Sequence, residues 1–115
     1  MVKTRVFVYG TLKQGFYNHR VMQHAGGTFV GEDTTKGQMY SRGAFPMVDI
    51  SKDGRILGEI YELEEENLKI LDRLEGYPTF YNRSQIDTGH GRVWIYHVER
   101  EKYPQLPIIE TGVWK

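Results

Sequence analysis

Glu75 closes a helix-forming run, Leu71-Asp72-Arg73-Leu74-Glu75-Gly76, and its place in that run decides what its carboxylate can do. At about 100° per residue from Leu68, Leu71 falls at about 300°, Leu74 at about 240° and Ile70 at about 200°, which defines an apolar face. Glu75 falls at about 340°, between Leu71 and Leu68. A helix that persists to Glu75 therefore turns the carboxylate along the apolar side. Burial disfavours the anion, and so does the negative end of the helix dipole at a C-terminus. A carboxyl with a raised pKa can take a proton and return it, which is general acid/base chemistry. On pattern alone the bland alternative stays open: Gly76 ends the helix, and a frayed end turns Glu75 into solvent. Asp72, at about 40°, borders the same face. It reads as a local cap or ion-pair partner, with Arg83 as its candidate mate.

The second chemical feature is Arg5-Val6-Phe7-Val8-Tyr9-Gly10-Thr11-Leu12-Lys13-Gln14-Gly15. Its β-branched and aromatic start reads as a buried strand, and Gly10 and Gly15 bracket a loop. Backbone N–H groups just past a strand end have no ladder partner and are ready to meet an anion or a polarised carbonyl. Tyr9, Gly10, Thr11 and Leu12 are therefore a candidate binding cradle, set against the reading of an ordinary strand-to-loop turn. The spacing matches neither a P-loop nor a dinucleotide fingerprint, so phosphate cofactors are not indicated.

Other chemistries are weaker. His19 and His24 are five apart and lack a zincin carboxylate, so no metal is expected. Ser41, Ser51 and Ser84 lack a nucleophile-elbow context, and His90 and His97 have no visible partner. The eight tyrosines are spread over strands without basic interleaving, which favours core and pocket-wall roles over base stacking. Tyr40, Tyr81 and Arg83 are candidate pocket residues.

The elements that must position these groups are short. Asn18 reads as the N-cap of a helix with Val21, Met22 and Ala25 on its apolar stripe, ended by Gly26-Gly27. Thr28 to Gly31 and Gly37 to Ser41 read as strands. Asp53-Gly54 predicts a hairpin between Phe45 to Ile50 and Ile56 to Leu63, with Gly58 marking a close backbone approach. A longer helix is expected from about Glu64 to Leu74. A second hairpin joins Tyr81 to Asp87 with Arg92 to Val98 across Thr88-Gly89-His90-Gly91. Lys102 to Pro107 is the loosest stretch, and Ile108 to Trp114 is expected to dock back. Short strands with glycine turns predict an α+β chain with a mainly antiparallel, closed or nearly closed sheet.

Composition bounds the partners. The chain of 115 residues, 1–115, is expected to form one domain. Fifteen basic and fifteen acidic side chains leave no net field to gather nucleic acid or an anionic membrane, so a small-molecule partner is expected. Zero cysteines exclude a disulfide framework, a thiol nucleophile and a zinc-thiolate site. Met1 to Arg5 leads into a strand rather than a signal-peptide apolar region, and no apolar stretch reaches membrane-spanning length. A cytoplasmic location is expected, and oligomeric state is left open.

Taken together, Tyr9-Gly10-Thr11-Leu12-Lys13, Asn18-His19-Arg20-Val21, Gly58-Glu59-Ile60-Tyr61, Leu71-Asp72-Arg73-Leu74-Glu75-Gly76 and Tyr81-Asn82-Arg83 resemble the γ-glutamylcyclotransferase-like, or AIG2-like, family. The resemblance runs from about Val6 to Trp114, and its nearest branch is γ-glutamylamine cyclotransferase. It implies a small mixed β-barrel with flanking helices. It also implies that Tyr9 to Leu12 hold a γ-glutamyl group largely through backbone atoms and that Glu75 is the catalytic glutamate. The implied reaction closes the substrate's own α-amine onto its γ-carbonyl and releases 5-oxoproline with a free amine or amino acid, a chemistry that needs no cofactor. Members without the glutamate are not expected to be cyclotransferases, whereas this chain keeps it. The γ-glutamylamine branch has longer connections than the brief turn at Thr88 to Gly91. The ending Ile109-Glu110-Thr111-Gly112-Val113-Trp114 is closer to short bacterial-type members. The alternative is a catalytically idle module of the same fold that binds a small carboxylate or a protein.

Overall fold

The structure, a computed structural model, describes residues 2–115; Met1, the first residue of the expected domain and of the stretch expected to lead into a strand, lies outside them. Among the described residues, eight strands and two α-helices follow in the order β1 (Lys3–Val8), α1 (His19–His24), β2 (Thr28–Lys36), β3 (Gln38–Ser41), β4 (Pro46–Asp49), β5 (Arg55–Glu64), α2 (Leu68–Glu75), β6 (Asn82–Thr88), β7 (Gly91–His97) and β8 (Ile108–Ile109). They form a five-stranded sheet ordered β2-β5-β1-β7-β6 and a three-stranded sheet ordered β4-β3-β8. Strand β1 is central because Val6, Phe7 and Val8 are all buried, so each of its faces needs a covering layer. It pairs antiparallel with β5 and parallel with β7.

The two faces of this sheet build two cores. On one, Val6, Val8, Tyr61, Leu63 and Tyr96 pack with Met22 and Ala25 from the α1 region and with Leu68 and Leu71 of α2. On the other, Phe7, Ile60, Val93 and Ile95 meet Met39 and Val48 of the smaller sheet. Alternation along β1 and β7 sends successive side chains to opposite layers. The expected hairpin of β6 and β7 is present, with Thr88 opposite Gly91 across a two-residue turn. The C-terminal stretch docks as expected, Ile108 and Ile109 pairing with β3.

Three expectations about the sheets are corrected. The hydrogen-bonded strands fall into two sheets rather than one closed barrel, giving a mixed α+β fold with mostly antiparallel pairing. Outer strand β2 instead meets the turn between β6 and β7 through side chains, His90 Nδ1 lying 2.9 Å from Asp33 Oδ2. The Asp53-Gly54 hairpin is absent, because β4 pairs with β3 while β5 pairs with β1 and β2. Residues 50–54 carry the chain from one sheet to the other, with Gly37 N–H donating to the Gly54 carbonyl at 3.2 Å. Finally, β2 does not stop at Gly31; a bulge between Phe29 and Gly31 lets it continue to Lys36. Gly58 behaves as expected. A Cβ there would lie 2.5 Å from the Phe7 ring and 2.6 Å from the Val8 carbonyl oxygen.

The long helix begins later than expected. Glu65–Asn67 form a 3-10 turn, and α2 proper runs from Leu68 to Glu75. Gly76 takes φ 67° and ψ 33°, a left-handed conformation that glycine adopts without a Cβ clash. Its N–H donates to the Arg73 carbonyl and the Tyr77 N–H reaches back to the Asp72 carbonyl, a Schellman arrangement that satisfies the last carbonyls. The termination is therefore sharp, and Glu75 is the last helical residue rather than the first of a frayed end. Among the described residues no helix is long and apolar enough to cross a membrane.

Candidate active site

A cavity of about 280 Å³ opens where β1 ends. The loop Tyr9–Leu12 lines it on one side and Leu74 and Glu75, from the last turn of α2, on another, with Phe45, Pro46, Phe80, Tyr81 and Tyr96 completing the wall. The cradle and the carboxylate singled out from the sequence therefore share one space. What joins them is the core: Leu68 and Leu71 anchor α2 against the same layer as Val6 and Val8 of β1. Helix end and strand end are brought together by burying those side chains.

The loop is held by its carbonyls. Gly10 accepts from Lys13 N–H at 3.1 Å, Thr11 from Asn18 N–H at 3.0 Å, and Leu12 from His19 Nδ1 at 2.9 Å. Asn18 sits at the N-cap position of α1 but makes no capping bond; its amide donates to Thr11 Oγ1 at 2.9 Å instead. The expected cap thus serves as a tie between helix and loop. In contrast, the N–H groups of Gly10, Thr11 and Leu12 donate to no protein acceptor among the described residues. Locked carbonyls and unspent donors are the features an anion-holding cradle requires. Gly10 also has to be glycine for space, since a Cβ would lie 2.7 Å from Pro46 Cγ on the facing wall.

Around Glu75 three phenols point their protons elsewhere. Tyr9 donates to the Tyr96 carbonyl at 2.6 Å, Tyr81 to the Pro46 carbonyl at 2.8 Å, and Tyr96 to Asp72 Oδ1 at 2.7 Å. All three have pKa values raised first by burial, so they stay neutral; the nearby Glu75 charge adds to the rise in each. No donor and no cation pairs with Glu75 among the described residues. Burial therefore acts unopposed, and the Glu75 carboxyl is pushed up to about 7. Asp72, three residues earlier on the same helix, has the opposite surroundings. Arg83 holds it with Nε at 2.8 Å from Oδ1 and a second bond of 3.2 Å to Oδ2. The guanidinium itself lies 4.4 Å from the centres of both the Tyr77 and Trp94 rings.

Tyr9, Gly10, Thr11, Leu12, Glu75 and Tyr81, all named from the sequence, meet at the cavity. Arg83 stands behind the wall as the expected mate of Asp72, not on the lining. Tyr40 is a correction: it is buried on β3, its hydroxyl bonded to Gln38 and its ring 4.0 Å from the Arg100 guanidinium, and it does not reach the cavity. Alternation on a short strand cannot say which of two layers a residue faces. Tyr96, Phe45 and Phe80 were missed as lining residues. Tyr96 carried a signal, since β7 alternation sends it to the layer opposite Ile95, but Phe45 and Phe80 lie outside regular elements where no period applies.

The family model described as gamma-glutamyl cyclotransferase, AIG2-like, matches residues 6–115. A relative from Vibrio cholerae is 37% identical over 111 residues, covering 95% of this chain and 93% of that one. A gamma-glutamylaminecyclotransferase from Rattus norvegicus is 36% identical over 96 residues, covering 70% of this chain and 60% of its own. Among solved structures, an AIG2-like protein from Mus musculus matches with a TM-score of 0.80 at 25% identity, over 96% of this chain and 88% of that one. The chain belongs to the γ-glutamyl cyclotransferase, AIG2-like family.

Proposed function

We propose that the protein is a γ-glutamyl cyclotransferase, converting a γ-glutamyl amide into 5-oxoproline and a free amine or amino acid. The observation that carries this reading is an unpartnered carboxyl with pKa about 7 sharing one cavity with a loop of unspent N–H donors. Family membership supports the substrate class.

The reaction moves two protons from the attacking nitrogen to the leaving nitrogen, and one carboxyl can carry both in turn. The cavity holds the γ-glutamyl chain bent, so that its α-amine and γ-carbonyl carbon are close, which replaces an improbable encounter with a unimolecular step. Glu75, ionised, takes a proton from the α-ammonium. The freed nitrogen attacks the γ-carbonyl carbon, forming the ring C–N bond and placing negative charge on the carbonyl oxygen. N–H groups of Gly10, Thr11 and Leu12 are the donors available for that oxyanion or for the substrate's α-carboxylate. Glu75 hands its proton to the leaving nitrogen, the exocyclic C–N bond breaks, and the ring nitrogen loses its second proton along the same route. A carboxyl with pKa near 7 is suited to both directions of transfer at neutral pH.

The rival reading, a module of the same fold that binds a small carboxylate without turnover, uses the cradle equally well. It gives no role to an unpartnered Glu75, which an inert binding site for a carboxylate would be better without. Incubation with γ-glutamyl amides and amino acids, followed by measurement of 5-oxoproline, tests the proposal. Binding of 5-oxoproline without any turnover of the panel would favour the rival.

A further inference from the structure

The wall that would meet the leaving group is aromatic, with one cation at its rim. Phe45, Leu74 and Phe80 line the cavity, and the Phe80 ring stands 6.1 Å from Phe45 and 6.5 Å from Tyr103 in edge-on contacts. The Arg42 guanidinium lies against this cluster, 5.5 Å from the Phe80 centroid and 5.1 Å from that of Tyr103. Its own backbone N–H is tied to the Phe45 carbonyl at 3.0 Å, so the residue is fixed to the rim at both ends.

What Arg42 lacks is an anion. Arg83, the other arginine near the site, is paired with Asp72, whereas Arg42 has no carboxylate within ion-pair distance among the described residues. Stacking occupies the face of a guanidinium and leaves its in-plane N–H donors free. The Arg42 charge is felt at the Tyr81 hydroxyl, on the cavity wall, where it opposes the rise caused by burial. Arg42 itself is not on the cavity lining; it stands just outside, joined to it by the stacking on Phe80 and by the backbone bond to Phe45, both of which line the cavity.

We infer that Arg42 is a specificity-determining residue that binds a carboxylate on the leaving amine, making γ-glutamyl amino acids better substrates than γ-glutamyl derivatives of plain amines. This rests on the cyclotransferase reading above. The aromatic rim receives the carbon skeleton of the leaving group, and the guanidinium receives its charge in the planar two-donor geometry that arginine offers a carboxylate.

A matched pair of substrates isolates the carboxylate. γ-Glutamyl-alanine and γ-glutamyl-ethylamide differ in the leaving group by that one substituent. Their kcat/KM values, read from 5-oxoproline release, are compared in the wild type and in Arg42→Met, which keeps an apolar stem on an exposed position. The wild type should favour the alanine compound by about tenfold or more, the scale of a charge-assisted pair, and Arg42→Met should bring the ratio close to one. A wild type without preference, a ratio that survives in Arg42→Met, or an equal loss on both substrates overturns the role of Arg42 while leaving the cyclotransferase reading intact. Release from neither substrate in the wild type overturns both.

Discussion

The Tyr96 hydroxyl donates to Asp72 Oδ1 at 2.7 Å, and Asp72 lies one helical turn before Glu75, so a single helix end carries a paired carboxylate and an unpaired one. Arg83 belongs to the first of these and stacks between Tyr77 and Trp94 as it does so. The pair thereby holds the carboxylate that takes the Tyr96 proton, as the Tyr96 and Pro46 carbonyls take those of Tyr9 and Tyr81.

Breaking that pair should cost stability. Both side chains are more than four-fifths buried, with exposures of 18% for Arg83 and 17% for Asp72. Arg83→Met leaves Asp72 without its cation and should lower the unfolding free energy by about 1–3 kcal/mol in urea titrations. Asp72→Asn added to it should cost less than it does alone, with a coupling of about 0.5 kcal/mol or more. Strict additivity would show that the two groups do not act as a unit.

The Glu75 carboxyl makes stability depend on pH in a direction opposite to an ion-paired acid. Folded, it holds its proton up to about 7; its ordinary value is 4.5. Between those limits the folded state binds more protons than the unfolded one, so stability falls as pH rises through the window. Glu75→Gln removes this dependence. The melting temperature of the variant minus that of the wild type should be more positive above pH 7 than below pH 4.5, as read by calorimetry across that range. A difference that is flat with pH contradicts the raised pKa.

The same group should shape the rate profile. In its proposed role as base for the α-ammonium, Glu75 has to be ionised, so kcat/KM should rise with pH through a pKa near 7 on the acid side. A profile with its acid limb near 4.5 would mean that the carboxyl is solvated in the free enzyme.

Gly10→Ala tests the cradle by space alone. The added Cβ would lie 2.7 Å from Pro46 Cγ and 2.9 Å from Cδ, closer than real Cβ contacts, so loop or wall must shift. A displacement of this size at a reacting centre should lower kcat/KM by about tenfold or more. Unaltered kinetics would place the substrate elsewhere.

Much of this was legible in the residues themselves. The wheel from Leu68 set Glu75 on the buried side of α2, and only the left-handed Gly76 was needed to keep it there. The β6–β7 hairpin followed from its turn residues, and Asp72 meets the candidate mate named for it, Arg83, although no periodicity links the helix to β6. Sheet membership did not. Asp53-Gly54 has the chemistry of a hairpin turn, but the partners of β4 and β5 are chosen by which faces they bury, a long-range matter that a dipeptide does not encode. Tyr40 was misplaced for the same reason, and Arg42, legible only as part of a turn with Gly43, stacks on Phe80 and Tyr103, neighbours too distant in sequence for a local pattern to supply.

Whether Glu75 carries the protons of a cyclisation is decided by 5-oxoproline release from a panel of γ-glutamyl amides and γ-glutamyl amino acids, measured for the wild type beside Glu75→Gln. Release by the wild type that falls by about two orders of magnitude or more in the variant, with its fold intact, is the predicted result. Release retained in Glu75→Gln would remove that residue from the chemistry, and a wild type that turns over no member of the panel would contradict the account as a whole.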